Sequence, residues 1–398
     1  MERKQILEQS KRVVVKLGTA VLMAEEGGLA MSRFYSFVEG LARLKKSGRD
    51  VLLVTSGAIG LGKQKLGLSA TPKLLPQKQA CAAVGQGRLM ALYSEAFERQ
   101  GLVTAQILLT EEDISSRKRY LNLRSTIFEL LSMGVIPVIN ENDTVSTAEL
   151  EPIKDGAEVK VNFGDNDKLS ALVASKIDAD LLMILTDVEG LYTADPSINK
   201  DAKLISLVEK FTPEIDELAD EKPGSNKSAS KPGRGGIKSK LAAAKIATQS
   251  GCNVIIAGGK VPDVIDQIFQ NKDLGTMFLS ASDGNQKPKS KSKSRWIAFA
   301  TTVKASLVVN QGAKEALQKR KASLLPAGVI NVVGSFERGD VVSITDETGA
   351  EFARGMVNYS SAETQKIVGM HSDKIDAIIE NRNYDALITR DNLALLDN

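Results

Sequence analysis

Several short stretches of the chain hold residue types that could handle a phosphate. VVVKLGT (13–19) ends an apolar run with Lys16 and Gly18. A glycine there lets backbone N–H groups approach an anion, and the lysine would be aimed at a transferring phosphoryl group. The alternative is a strand-end lysine in solvent, which is the commoner use of the residue. VLLVTSGAIGLGKQKLG (51–67) fits most of the G-x-x-x-x-G-K-[ST] phosphate loop through Gly57, Gly62 and Lys63. Gln64 stands where that loop needs a hydroxyl for magnesium, so the phosphate reading of this stretch stays open.

VINENDTV (138–145) places Asn140 and Asp143 directly after an apolar run, and FGDNDKLSALVA (163–174) brings Asp165, Asn166 and Asp167 to a helix start. A single Asp there reads best as an N-cap, and Asp167 is so placed. Two such clusters exceed what capping needs. An anion-rich pocket could hold an ammonium group, order two lysines, or bind magnesium through water. PGRGGIKSKLAAAKIA (232–247) runs from glycines into a helix bearing Lys238 and Lys240. Glycines, a helix N-terminus and lysines together make an anion site, with a loop of solvated lysines as the equal alternative.

The totals narrow the chemistry. The chain has 398 residues, a net charge of +3, 42% hydrophobic and 25% charged residues, which describes an ordinary folded protein of two domains. Its one histidine, His371, lies near the C-terminus, so a Ser-His-Asp triad or a histidine metal site in the main body is excluded. Catalysis must rest on lysine, carboxylate and backbone. Cys81 and Cys252 have no metal-ligand spacing and read as small buried residues, which favours a reducing cytoplasm. No apolar run is long enough to span a membrane, and the polar start MERKQILEQSKR is no secretory signal.

The elements that must position these residues follow from hydrophobic period. Short apolar runs at 12–16, 50–54, 103–110, 134–140, 181–187 and 253–259 read as strands. Helices are expected over 32–47, capped by Ser32, and over 76–99 and 119–133. Strands alternating with helices predict a parallel sheet covered on both faces, with ligands at the carboxyl ends of the strands. Gly18, Ser56, Asn140 to Asp143, Thr186 and Asp187 all fall there. The polar stretches 221–236 and 280–294 interrupt this pattern as a loop and a basic linker. Beyond the linker short strands take over, with one helix over 312–321, predicting a small β-rich barrel. The expected domains are 1–279, the linker 280–294, and 295–398.

In order along the chain, VVVKLGT, LLVTSGAIGLG, VINEND, GDND, LTDVEGLYTADP and GRGGIKSKLAAA resemble the glutamate-phosphorylating branch of the amino acid kinase family. RWIAFA, SLLPAGV, GSFERGDVVSI and ARGMVNYSS resemble a PUA domain. The resemblance covers about residue 11 to residue 390. It implies the amino acid kinase fold, an α/β/α sandwich around a parallel sheet, followed by the PUA barrel. It also implies ATP-dependent phosphorylation of the L-glutamate γ-carboxylate, the first step toward proline. Such a carboxylate is already ionised, so the reaction needs no general base.

By the same resemblance Lys16 and Lys240 neutralise the moving phosphoryl group and Asp167 holds both lysines. Ser56, Gly57, Asn140, Asp143, Asp165 and Asn166 bind glutamate. Lys16, Gly18, Thr186, Asp187 and the run Arg234, Gly235, Gly236, Ile237, Lys238, Ser239 and Lys240 line the nucleotide. TSGAIGLGK then belongs to the glutamate side, and Gln64 is no defect. ATP and Mg2+ are the implied cofactors, with no protein metal cage. The implied partners are L-glutamate, proline as a feedback inhibitor, RNA at the PUA domain, and further copies of the chain as a dimer or tetramer. The rival readings are another carboxylate or acyl-phosphate kinase of the same family, and an RNA-binding protein acting through the tail and the basic linker.

Three features depart from the family pattern, the first being the inserted run SNKSASK (225–231) before the nucleotide loop. The segment 149–163 is longer, and Arg234 and Lys238 stand where small hydroxyl residues are usual.

Overall fold

The computed structural model describes residues 2–24, 27–70, 72–146, 166–196, 198–218, 236–280, 297, 303, 305–320, 322–370 and 386–396. Asp165, Arg234, Gly235, His371, the segment 149–163, the loop 221–235 and all of the linker but its first residue lie outside them. So does RWIAFA apart from Ile297. Contacts divide the chain into two units, one of Met1–Glu111 with Leu123–Pro288 and one of Glu112–Asn122 with Lys289–Asn398.

The first unit is built on an eight-stranded sheet. Its strands are β1 (Arg12–Leu17), β2 (Asp50–Thr55), β3 (Thr104–Leu109), β4 (Ile136–Glu141), β5 (Leu181–Thr186), β6 (Leu207–Val208), β7 (Asn253–Gly258) and β8 (Thr276–Phe278), in the order β3-β4-β2-β1-β5-β7-β8-β6. Pairing is parallel from β3 through β7, and only β7 with β8 is antiparallel. β1 shows why the runs are continuous. Val13, Val14, Val15 and Leu17 are all buried, because helices cover both faces and β-branched residues fit a pleated surface. Lys16 lies in that run, between Val54 of β2 and Ile184 of β5.

Six strands of the sheet and its major helices fall where the hydrophobic period puts them; the short β6 and β8 and the antiparallel pairing of β7 with β8 were not expected, and two helix starts need correction. The first long helix runs Met31–Lys46 with Ala30 before it, so Ser32 is inside the helix and caps nothing. Asp167 is the second residue of Asn166–Lys176 and is not an N-cap. Its carboxylate is taken up elsewhere.

The turn after β2 is set by Gly57, whose φ of +106° is a left-handed conformation that disfavours any side chain. It starts the helix Ala58–Lys65. Gly62 is a packing residue. A Cβ there would lie 1.8 Å from the Cys81 carbonyl oxygen, and one at Gly85 would lie 1.8 Å from that of Ala58. The helices Ala58–Lys65 and Leu75–Glu98 therefore meet backbone to backbone, and a Cβ at either glycine forces them apart.

The second unit carries a five-stranded sheet of β9 (Ser306–Val309), β10 (Val329–Val333), β11 (Val341–Thr345), β12 (Glu351–Met356) and β13 (Leu393–Leu395), ordered β10-β9-β11-β12-β13. β9 and β11 are parallel and the other pairs antiparallel. Leu307, Val309, Val342, Ile344 and Ala353 point into its core, the inward half of a period-two alternation. The expected helix spans Gln311–Arg320. A second one, Ser361–Ile367, was not expected.

Candidate active site

Chemistry-bearing side chains gather at the carboxyl ends of β1, β2, β4 and β5, in two adjoining groups. The first is ionic. Lys16 Nζ lies 2.5 Å from Asp167 Oδ1, and Lys240 Nζ lies 3.3 Å from Oδ2. The Ser239 hydroxyl is also 3.1 Å from Oδ2. Lys16, Asp167 and Lys240 are all buried. Burial alone would raise the Asp167 pKa. The two ammonium groups and their hydrogen bonds outweigh it and hold the carboxyl below its ordinary range. One carboxylate thus serves two ammonium groups.

Three distant stretches build this group. Lys16 comes from β1, and Asp167 from the first turn of Asn166–Lys176. Lys240 comes from the first turn of Ile237–Gln249. Lys238 and Lys240 are two residues apart on that helix and face different ways. Lys240 is buried and Lys238 exposed.

The second group is neutral. Asn166 Nδ2 has three oxygens around it: Ser56 Oγ at 2.7 Å, the Thr55 carbonyl at 3.1 Å and Asn140 Oδ1 at 3.1 Å. Asn140 Nδ2 donates to Gln86 Oε1 at 2.9 Å. The Thr55 hydroxyl lies 2.8 Å from that of Tyr93 in the core, where burial pushes the tyrosine pKa up. Asp143 is half-buried in the turn Asn142–Ser146 that follows β4. Asn166 and Asp167 are neighbours in sequence, so one helix start serves both groups.

Of the residues expected from sequence, the structure brings Lys16, Lys240, Asp167 and Ser239 together, and Ser56, Asn140 and Asn166 together. Thr186 ends β5, buried, and donates to Asp187 Oδ1 at 3.0 Å. It stands two positions past Ile184, the strand partner of Lys16. Gly18 gives its N–H to the Leu185 carbonyl at 3.3 Å, and a Cβ on it would lie 3.3 Å from Lys16 Nζ. Gly236 and Ile237 open the helix that carries Lys240. Gln86 and Tyr93 were not singled out in the sequence. Among the described residues no three His, Cys, Asp or Glu come together as a metal cage.

A sheet with parallel strands meeting buried lysines at their carboxyl ends defines the class. The amino acid kinase family model matches residues 11–258, and the PUA domain model matches residues 305–379. The chain belongs to the amino acid kinase family and carries a PUA domain. Glutamate 5-kinase of Caldanaerobacter subterraneus subsp. tengcongensis is 46% identical, over 97% of this chain and 98% of that one. Glutamate 5-kinase of Trichlorobacter lovleyi is 44% identical over 99% of each chain. Glutamate 5-kinase of Methanosarcina barkeri is 43% identical over the full length of both.

Proposed function

We propose that this protein transfers the γ-phosphoryl group of ATP to the γ-carboxylate of L-glutamate, giving γ-glutamyl phosphate and ADP as the first step toward proline. A carboxylate oxygen forms the new bond to phosphorus, and the bond from phosphorus to the bridging oxygen of ADP breaks. The attacking carboxylate carries no proton at neutral pH, so no base is needed. What remains is positioning and neutralisation of charge.

One observation carries the reading: two buried ammonium groups, Lys16 and Lys240, meet on the single carboxylate of Asp167 beside a neutral amide and hydroxyl group. Two lysines converging on one point suit the oxygens of a phosphoryl group in transfer. In this reading Lys16 and Lys240 neutralise the moving group, and Asp167 aims both. Ser56, Gly57, Asn140, Asp143, Asp165 and Asn166 receive glutamate. Gly18, Thr186, Asp187 and residues 234–240 line the nucleotide. Mg2+ enters, in this proposal, on the nucleotide.

An ADP-release assay across glutamate, acetylglutamate, aspartate, carbamate and UMP tests it. Release confined to glutamate is expected, and release with another acceptor alone makes this a different acyl-phosphate kinase of the family. Asp143→Ala should raise the glutamate KM far more than the ATP KM. An unchanged glutamate KM moves the acceptor site elsewhere.

Further partners belong to the same proposal. Proline would compete at the acceptor side, as inhibition relieved by glutamate would report. RNA would bind the C-terminal unit, as salt-dependent retention by the full chain would report. Light scattering would report a dimer or tetramer. Two buried cysteines without a disulfide suit a reducing cytoplasm.

A further inference from the structure

We propose that Gln86 is a positioning residue of the acceptor side, and that its side-chain oxygen holds Asn140 in the hydrogen-bond direction that Asn166 requires. The proposal rests on the reading of Ser56, Asn140, Asp143 and Asn166 as the acceptor side.

Gln79, Gln86 and Tyr93 lie seven residues apart on the helix Leu75–Glu98. Seven residues is close to two turns, so the three share one stripe. Each grips a different point of the strand ends. The Tyr93 hydroxyl meets Thr55 at the end of β2 at 2.8 Å. Gln86 Oε1 accepts from Asn140 near the end of β4 at 2.9 Å. Gln79 Nε2 donates to the Ser146 carbonyl, in the turn that carries Asp143, at 3.2 Å. Gly85, next to Gln86, lies against the Ala58 carbonyl, where a Cβ has no room.

The direction of the amides follows from this grip. A primary amide donates at one end and accepts at the other. Asn140 spends its NH2 on Gln86, so its oxygen must face Asn166. Asn166 in turn spends its NH2 on oxygens, of Asn140, Ser56 and Thr55. That leaves Asn166 Oδ1 buried and, among the described residues, without a partner. An unfilled buried acceptor is costly and so is a place for a donor on a ligand. The acceptor substrate brings such a donor, the ammonium of an amino acid. The Thr55 carbonyl can only accept, so Asn166 cannot reverse; a donor in place of Gln86 Oε1 would set Asn140 against it and loosen both amides.

Glutamate KM, ATP KM and kcat of the full chain test this for Gln86→Met, which keeps the length and removes the acceptor. The glutamate KM should rise about tenfold, the size of one lost hydrogen bond, with ATP KM and kcat within about twofold. Gln86→Glu retains an oxygen acceptor and should recover most of the loss. In an Asn140→Ala background Gln86→Met should add less than about twofold, since the two act as one unit. Equal rises in both KM values, no rise, or a full tenfold effect without Asn140 would each overturn the proposal. Should Gln86→Met not fold, Gln86→Glu against Gln86→Lys decides: equal glutamate KM values overturn it. If Ser56→Ala and Asp143→Ala also leave the glutamate KM unchanged, the acceptor reading falls as well. If those two raise it and Gln86→Met does not, this inference alone falls.

Discussion

Asp167 in the first unit and Glu363 in the second are both carboxylates held by cations, and both have lowered pKa values. Their surroundings differ. The Asp167 side chain is 1% exposed, against 7% for Lys16 and 4% for Lys240. Glu363 is 26% exposed and its partner Arg338 46%. The Arg338 hydrogen bond brings the Glu363 pKa down to about 2, with help from the backbone and hydroxyl of Ser360. That interaction is local, since Ser360 and Glu363 form the capping box that starts the helix Ser361–Ile367. Asp167 joins elements far apart in the chain and keeps two ammonium groups out of water. An exposed pair contributes little and fades in salt, whereas a buried one is expensive to break. Charge in the second unit starts a helix; charge in the first joins three stretches far apart in the chain.

Breaking the buried group should have the largest effect. Asp167→Ala removes the carboxylate that Lys16 and Lys240 share and should cost about 3–5 kcal/mol in urea unfolding. A loss no larger than that of Glu363→Ala would erase the contrast. Lys16→Ala and Lys240→Ala should each cut turnover by ~10² or more, as loss of a preorganised charge does. Near-normal kcat in both would remove their roles.

Ser360→Ala should cost about 1 kcal/mol and leave turnover unchanged, because it removes only a helix cap. High salt should weaken the Arg338–Glu363 contribution and spare that of Asp167. The smallest effect is acid sensitivity. Both folded pKa values lie below their unfolded ones, so each contribution is complete above the unfolded pKa and is lost as pH falls through the folded one. For Glu363 the window runs from its ordinary 4.5 down to about 2. For Asp167 loss begins below its ordinary 3.8. Acid titration of Glu363→Gln should flatten only the first window; a curve identical to that of the parent would mean the surface pair contributes nothing.

The sheet was readable because β-branched apolar runs behave the same way wherever they are buried. VVVKL, VLLV and LLMIL could only be interior strands, and Lys16, Ser56 and Thr186 at or beside their carboxyl ends followed. Caps were less readable. Ser32 and Asp167 have cap-type side chains, yet neither caps, since a helix start depends on where the preceding turn leaves the chain. The box at Ser360 and Glu363 has the S-x-x-E spacing, and the helix it starts was nevertheless missed, hidden among short strands. Gln86 carried one faint signal, the seven-residue spacing with Gln79 and Tyr93. That spacing has no meaning until the strand ends opposite are known.

By itself the sequence determined the elements, the polar residues at their ends, and the absence of histidine chemistry from the main body. These depend on residue type and local period, which the backbone reads over a few residues. Tertiary structure decided that β1 lies between β2 and β5 and that Lys16 and Lys240 meet on one carboxylate. It also decided that Gly62 serves helix packing and that an amide relay points one way. Each of these needs groups distant along the chain to come within a few ångströms, and only the closed packing of sheet and helices sets those distances.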